Sequence, residues 1–242
     1  ENKSKAPVYT FTSLHRQLEI IERAGEHQTT GNYFKGYGIL GLTFQSGHIL
    51  SLRRYTISAL GPAFTAIWHR NPSGIWTFYS DTDPQYSSVK LFGTEVHYTI
   101  KTNIHITWSS PYIMHIRMPD RNFEWIVYLS KTNSSRMVST VIQNLPPSLW
   151  ESNFVLQAAG RIAGILTDAG KINLTGRTSN NLAYKVYPKN ILIVKKSFAV
   201  MNGNDFGKTG PLDEQASLGD FLIPQKGIFV TGDVRIESFD DS

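Results

Sequence analysis

Residues 36–55 read GYGILGLTFQSGHILSLRRY, and the reading of this stretch decides the fold. Gly36, Gly38 and Gly41 match the dinucleotide fingerprint G-x-G-x-x-G, which would make the chain an α/β nucleotide-binding protein. That fingerprint needs a buried apolar strand before its first glycine and a helix opening at its third, because the helix N-terminus holds the pyrophosphate. Here the polar GEHQTTGNYFK precedes and the strand-like LTFQSGHILSL follows. Glycine inside a strand marks a bend or the close approach of another backbone. The stretch therefore reads as two strands joined by the turn QSG on a curved sheet.

The same pattern continues outward. AFTAIWHR, IWTFYSD, EVHYTI, IHITW, YIMHIRM and FEWIVYLS are short runs with strand periodicity, separated by the turn-forming NPSG, SSP and MPDRN. Eight such runs predict a mainly β chain whose antiparallel meander curls into a barrel. Before it, Leu14, Leu18 and Ile21 recur at helical spacing between Ser13 and Gly25, predicting an amphipathic helix over 13–24. After it, Ser148 and Glu151 have capping-box spacing and Gly170 stands where a C-terminal cap belongs, predicting one long helix over 148–169. Its small residues, Ala158, Ala159, Gly160, Ala163 and Gly164, let it lie close to a neighbour. Strands resume at KINLTGR, LAYKVY, ILIVKKSFAV and GIFVTGDVRI. The expected organisation is an N-terminal helical segment over 1–31, a single β-barrel domain over 32–236, and an acidic tail over 237–242.

Composition narrows the function. With no cysteine there are no disulfides, thiolate metal sites or cysteine nucleophiles. The most apolar stretch, FVLQAAGRIAGIL, is interrupted by Gln157 and Arg161, so no transmembrane segment is expected. The net charge of +5 is spread along the chain, with doublets only at Arg53-Arg54 and Lys195-Lys196, which reads as a basic surface and not as a nucleic-acid site. NGNDFGKTG, residues 202–210, resembles a phosphate loop, but Asn202 replaces its first glycine and Gly210-Pro211 follows where a helix should run. No nucleotide and no other cofactor is expected.

The strands carry the candidate site. His69, His97, His105 and His115 alternate with apolar or aromatic neighbours, and His115 shares strand parity with Arg117 while Glu124 alternates against Phe123 and Trp125. On adjacent strands, His105, His115 and Glu124 are candidate acid/base groups, with Arg117, His69 and His97 as candidate ligand contacts. The alternative is that this is the wet face of an antiparallel sheet, which needs no function. Neither H-x-H nor H-E-x-x-H spacing occurs, so no metal is expected. Trp68, Trp76, Tyr79, Trp108 and Trp125 fall on predicted strands and are enough to line a cavity for a flat or greasy ligand.

Through the strand order and GYGILGLTFQSGHILSLRRY followed by AFTAIWHRNPSGIWTFYSD, residues 32–236 resemble the lipocalin-like (calycin) proteins, distantly those of the hydroxyneurosporene synthase (carotenoid hydratase) type. GYGILG stands where a lipocalin carries G-x-W. The resemblance implies a closed barrel around a small apolar or amphipathic molecule. In its enzymatic branch it implies chemistry on an apolar skeleton without a nucleotide. Three functions follow: a binding protein with an aromatic-lined barrel cavity, a cofactor-free lyase, hydratase or isomerase in the same cavity, or a basic module for an anionic partner.

Overall fold

A computed structural model describes residues 13–25, 32–144 and 146–236. The expected acidic tail over 237–242 and part of the N-terminal segment lie outside the described residues. In chain order the elements are α1 (Ser13–Ala24), β1 (Tyr33–Thr43), β2 (Ile49–Ile57), β3 (Phe64–Arg70), β4 (Trp76–Ser80), α2 (Val89–Phe92), β5 (Tyr98–Lys101), β6 (His105–Ser110), β7 (Ile113–Met118) and β8 (Phe123–Ser130). They continue with α3 (Asn133–Asn144), α4 (Asn153–Thr167), β9 (Thr175–Arg177), β10 (Ala183–Met201), β11 (Asn204–Asp205), β12 (Ser217–Leu218), β13 (Phe221–Leu222) and β14 (Ile228–Ile236). All eight strands expected between residues 33 and 130 form.

One large sheet runs β5-β4-β3-β2-β1-β14-β10-β8-β7-β6, with β9 and β11 on the edges of β10. Its neighbours are antiparallel except β4 and β5, which are parallel because residues 81–97, including α2, carry the chain back to the starting end of β4. The meander is thus mixed. It also stays open: β5 and β6 end the sheet, and among the described residues no closed barrel forms.

The sheet nevertheless curls, because both its faces are apolar. One face of β1–β4 (Ile39, Leu52, Ile67, Tyr79) shares a core with Met114, Ile116, Trp125 and Val127 of β7 and β8, strands far away in the sheet order. The opposite face (Phe34, Ile49, Trp68, Phe78) packs under α2, α3, α4 and the 212–223 segment through Phe92, Val138, Leu156, Ala163 and Phe221. Helix α1 seals the first core with Leu14 and Leu18. Its Glu22 accepts from Arg54 Nη2 at 2.8 Å and from the Tyr37 hydroxyl at 2.9 Å.

Strand β10 joins the two halves. LAYKVY and ILIVKKSFAV, expected as two strands, are one strand of 19 residues. Pro188 fits within it because β10 has β14 on one side there, while β9 stops opposite Lys185 and β8 begins opposite Ile193. The missing N–H therefore costs no ladder bond on that free side, and a bulge between Pro188 and Asn190 takes up the bend.

The expected helix over 148–169 is broken. A 3-10 segment covers Pro147–Glu151, Ser152 is extended, and α4 then runs to Thr167, where Asp168 in the left-handed region (φ 55°) caps it. The Ser148/Glu151 capping box does not form, because the Glu151 carboxylate instead accepts from Arg235 Nη1 at 2.8 Å. The small-residue face of α4 does lie close to a neighbour: a Cβ on Gly160 or Gly164 would overlap the carbonyl oxygens of Ile172 or Gly170 as the chain returns along the helix. Helices α2 and α3 have no counterpart in the sequence reading. Among the described residues no helix is long and apolar enough to cross a membrane.

Candidate functional site

The glycines of GYGILG lie within β1, as strand residues. A Cβ on Gly36 would overlap the Arg54 carbonyl oxygen, and one on Gly38 the Leu52 carbonyl oxygen, so only glycine lets β1 and β2 run this close. Gly36 also pairs with Gly232 of β14. The result is a patch of bare backbone under Gly36, Gly38 and Gly232, and over it lies a cavity of about 60 Å³ between the sheet and its helical cover. That is several times the roughly 10–15 Å³ that one water needs. Aromatic walls surround it: Phe34, Tyr55 and Trp68 from the sheet, Phe92 from α2, Tyr184 from β10 and Phe221 from β13.

The polar groups of this cavity are unusual. Arg53 is 5% exposed, and its guanidinium lies 4.2 Å from the centre of the Trp68 ring. Nη1 donates to the carbonyls of Ile39 (2.5 Å) and Leu52 (2.9 Å), and Nη2 to that of Leu40 (3.1 Å). The Ile39 and Leu40 carbonyls fall at the register shift between β1 and β2, so the arginine caps a bulge. No carboxylate pairs with it among the described residues. Burial pushes the guanidinium down to about 10, opposed by the Tyr55 phenol beside it, and it remains charged at neutral pH. Its neighbour Arg54 points to the other face and has Glu22. The indole N–H of Trp68 and the hydroxyls of Ser88 and Tyr184, all lining this cavity, are buried without hydrogen-bond partners in the protein. Burial and the nearby Asp220 both push the Tyr184 phenol up, so it stays a neutral donor.

A second buried polar cluster closes the opposite core. His48 Nδ1 and His69 Nε2 are 2.9 Å apart, and Phe206 stacks on His48 at 3.9 Å between ring centres. Phe206 comes from NGNDFGKTG, which pairs back on the first hairpin through Thr209 and Phe44 and so forms a packed loop and no phosphate cradle. Burial pushes both imidazoles down, His69 to about 4, so one neutral ring donates to the other.

The remaining sequence-predicted residues are distributed as follows. The register aligns His105, Arg117 and Glu124 side by side across β6, β7 and β8, whereas His115 pairs with Thr107 and Ile126. The row faces solvent: all three are exposed, and the half-buried His115 meets the Ser109 hydroxyl at 2.8 Å over a shallow depression. His97 is exposed, its Nδ1 accepting from the Trp76 amide at 3.2 Å. Trp76 is buried in the core under the helices. Tyr79 and Trp125 are buried in the opposite core with Trp108 packed against it, and Trp125 donates to the Ser197 hydroxyl at 2.8 Å. Of the expected ligand contacts, Trp68 lines the cavity. Among the described residues no group of three or more His, Asp or Glu side chains is placed to hold a metal ion.

Arg53, Tyr55, Ser88, Phe92, Tyr184 and Phe221 were not singled out from sequence as site residues. One signal was present: HILSLRRYTI is apolar at both parities, so consecutive arginines in it must enter both faces of a two-sided strand. No family model, no curated protein and no solved structure matches the chain.

Proposed function

We propose that the protein binds a small hydrophobic or amphipathic molecule in the cavity between the sheet and its helical cover. The observation that carries this reading is the combination of aromatic walls, a glycine-backbone floor and buried polar atoms without protein partners. Binding sites are mostly apolar with a few polar groups that orient the ligand, and buried polar atoms in folded proteins are otherwise satisfied. The curl of the meander also supports a calycin-like scaffold, with the ligand on the helix-covered face instead of inside a closed barrel.

Leu91 of α2 lines the cavity, so Leu91→Trp fills it from the lid side. The test is native mass spectrometry of the purified protein, followed by thermal-shift titration with small aromatic and aliphatic amphiphiles. Saturable stabilisation in the wild type that is lost in Leu91→Trp is the expected result. No retained organic mass together with no saturable stabilisation overturns the proposal.

The enzymatic reading rests on a different observation, the in-register row of His105, Arg117 and Glu124. The row lies outside the cavity, so this reading predicts that Glu124→Gln abolishes hydration or isomerisation of an apolar substrate turned over by the wild type, and unchanged turnover removes it.

A further inference from the structure

We propose that the molecule held in this cavity is a carboxylate, with its anionic head against Arg53 and its apolar body against the aromatic walls. The inference rests on the binding function proposed above and adds the charge and chemical class of the ligand. A guanidinium has five N–H donors. Three go to the Ile39, Leu40 and Leu52 carbonyls, which leaves two for the Tyr55 phenol beside the guanidinium and for a ligand. Those partners are all neutral. A buried charge without a counter-ion is costly, and proteins ordinarily pair it. Arg54, one residue away, shows the ordinary solution in its pairing with Glu22. Also lining the cavity, Tyr184 (3% exposed) and Ser88 (1% exposed) hold buried hydroxyls without partners, and the Trp68 indole can only donate. These groups can serve the second oxygen of a carboxylate.

The chemistry also selects against more highly charged heads. Arg53 is the one cationic side chain among the cavity-lining residues, and Asp233, whose Oδ2 accepts from Lys189 at 2.6 Å while its buried Oδ1 has no partner in the protein, adds a negative charge at the wall. A phosphate dianion would meet a single cation and a carboxylate. A monoanion is neutralised by Arg53 alone.

The experiment compares matched pairs on the wild-type protein by isothermal titration: benzoate with benzamide, cinnamate with cinnamamide, and 2-naphthoate with 2-naphthamide at neutral pH. The carboxylate of at least one pair is expected to bind about tenfold or more tightly than its amide, the scale of one charge-assisted hydrogen bond. Arg53→Gln is expected to reduce that ratio to about one. Should circular dichroism show Arg53→Gln unfolded, the wild-type Arg53 Nε–H resonance decides: it shifts with the carboxylate and not with the amide. Equal binding within every pair overturns the carboxylate assignment and leaves the binding function standing. If neither member of any pair saturates, this inference falls, and the binding function is decided by the mass and thermal-shift experiments above.

Discussion

At the scale of single residues, the two buried polar sites show how one fold handles charge in different ways. His48 and His69 are kept neutral by burial, and the sign of the consequence follows from that. Unfolded histidine binds its proton near 6.5, whereas folded His69 does so near 4, so between these values the unfolded chain holds more protons. The stability this provides is complete above about pH 6.5 and is lost as pH falls towards 4. We expect the wild type to be about 2 kcal/mol less stable at pH 5 than at pH 7 from this residue, and His69→Gln to flatten the dependence. Urea midpoints across that range decide the matter, and a wild-type midpoint constant from pH 7 to 5 would contradict it. His69 was legible as an alternating strand histidine. Its partner was not, because His48 lies at a turn and the contact depends on how β2 pairs with β3. Arg53 was hidden for a similar reason: a doublet in a basic sequence resembles a surface feature until both faces of its strand are known to be covered.

At the scale of elements, α1 tests whether a helix expected from three apolar spacings is truly docked. Leu14 and Leu18 are buried as the spacing predicts, and Glu22 ties the helix to β1 and β2 through Tyr37 and Arg54. Glu22→Ala leaves the Tyr37 hydroxyl without this acceptor and Arg54 without its carboxylate. The expected loss is about 1 kcal/mol, since the carboxylate is partly solvated. A urea midpoint equal to that of the wild type would mean that this carboxylate adds nothing to the docking, which then rests on Leu14 and Leu18. Strands β1 to β8 were legible because alternation and turn residues are local signals. The helix expected over 148–169 was legible over Asn153–Thr167 but not at its start, because its capping-box glutamate is drawn away by Arg235, more than 80 residues along the chain. The splitting of β10 at Pro188 failed likewise: proline disfavours an interior strand only where a partner needs its N–H, and sequence does not reveal which edges are free.

At the scale of the molecule, the sheet ends at β5 and β6, and a barrel would have joined them. Edge strands leave alternate backbone groups to solvent. Amides of β5 and β6 are therefore expected to exchange hydrogen faster than those of β1 and β14, the central pair of the sheet order. Equal protection across all four strands would mean that the sheet closes in solution. The candidate cavity was missed at this scale too, because aromatic residues on strands do not disclose which of two covered faces encloses space. The pairing of β1 with β14 has a consequence for biosynthesis. Ile39 waits for Phe229, so a ribosome adding about 5–20 residues per second exposes the β1 template for roughly 10–40 s before its neighbour emerges. During that interval an apolar strand edge is free to pair with other nascent chains, and the cavity floor, which needs Gly232 beside Gly36, does not yet exist. The binding proposed for this cavity can therefore begin only once residues 228–236 have been made and have paired with β1.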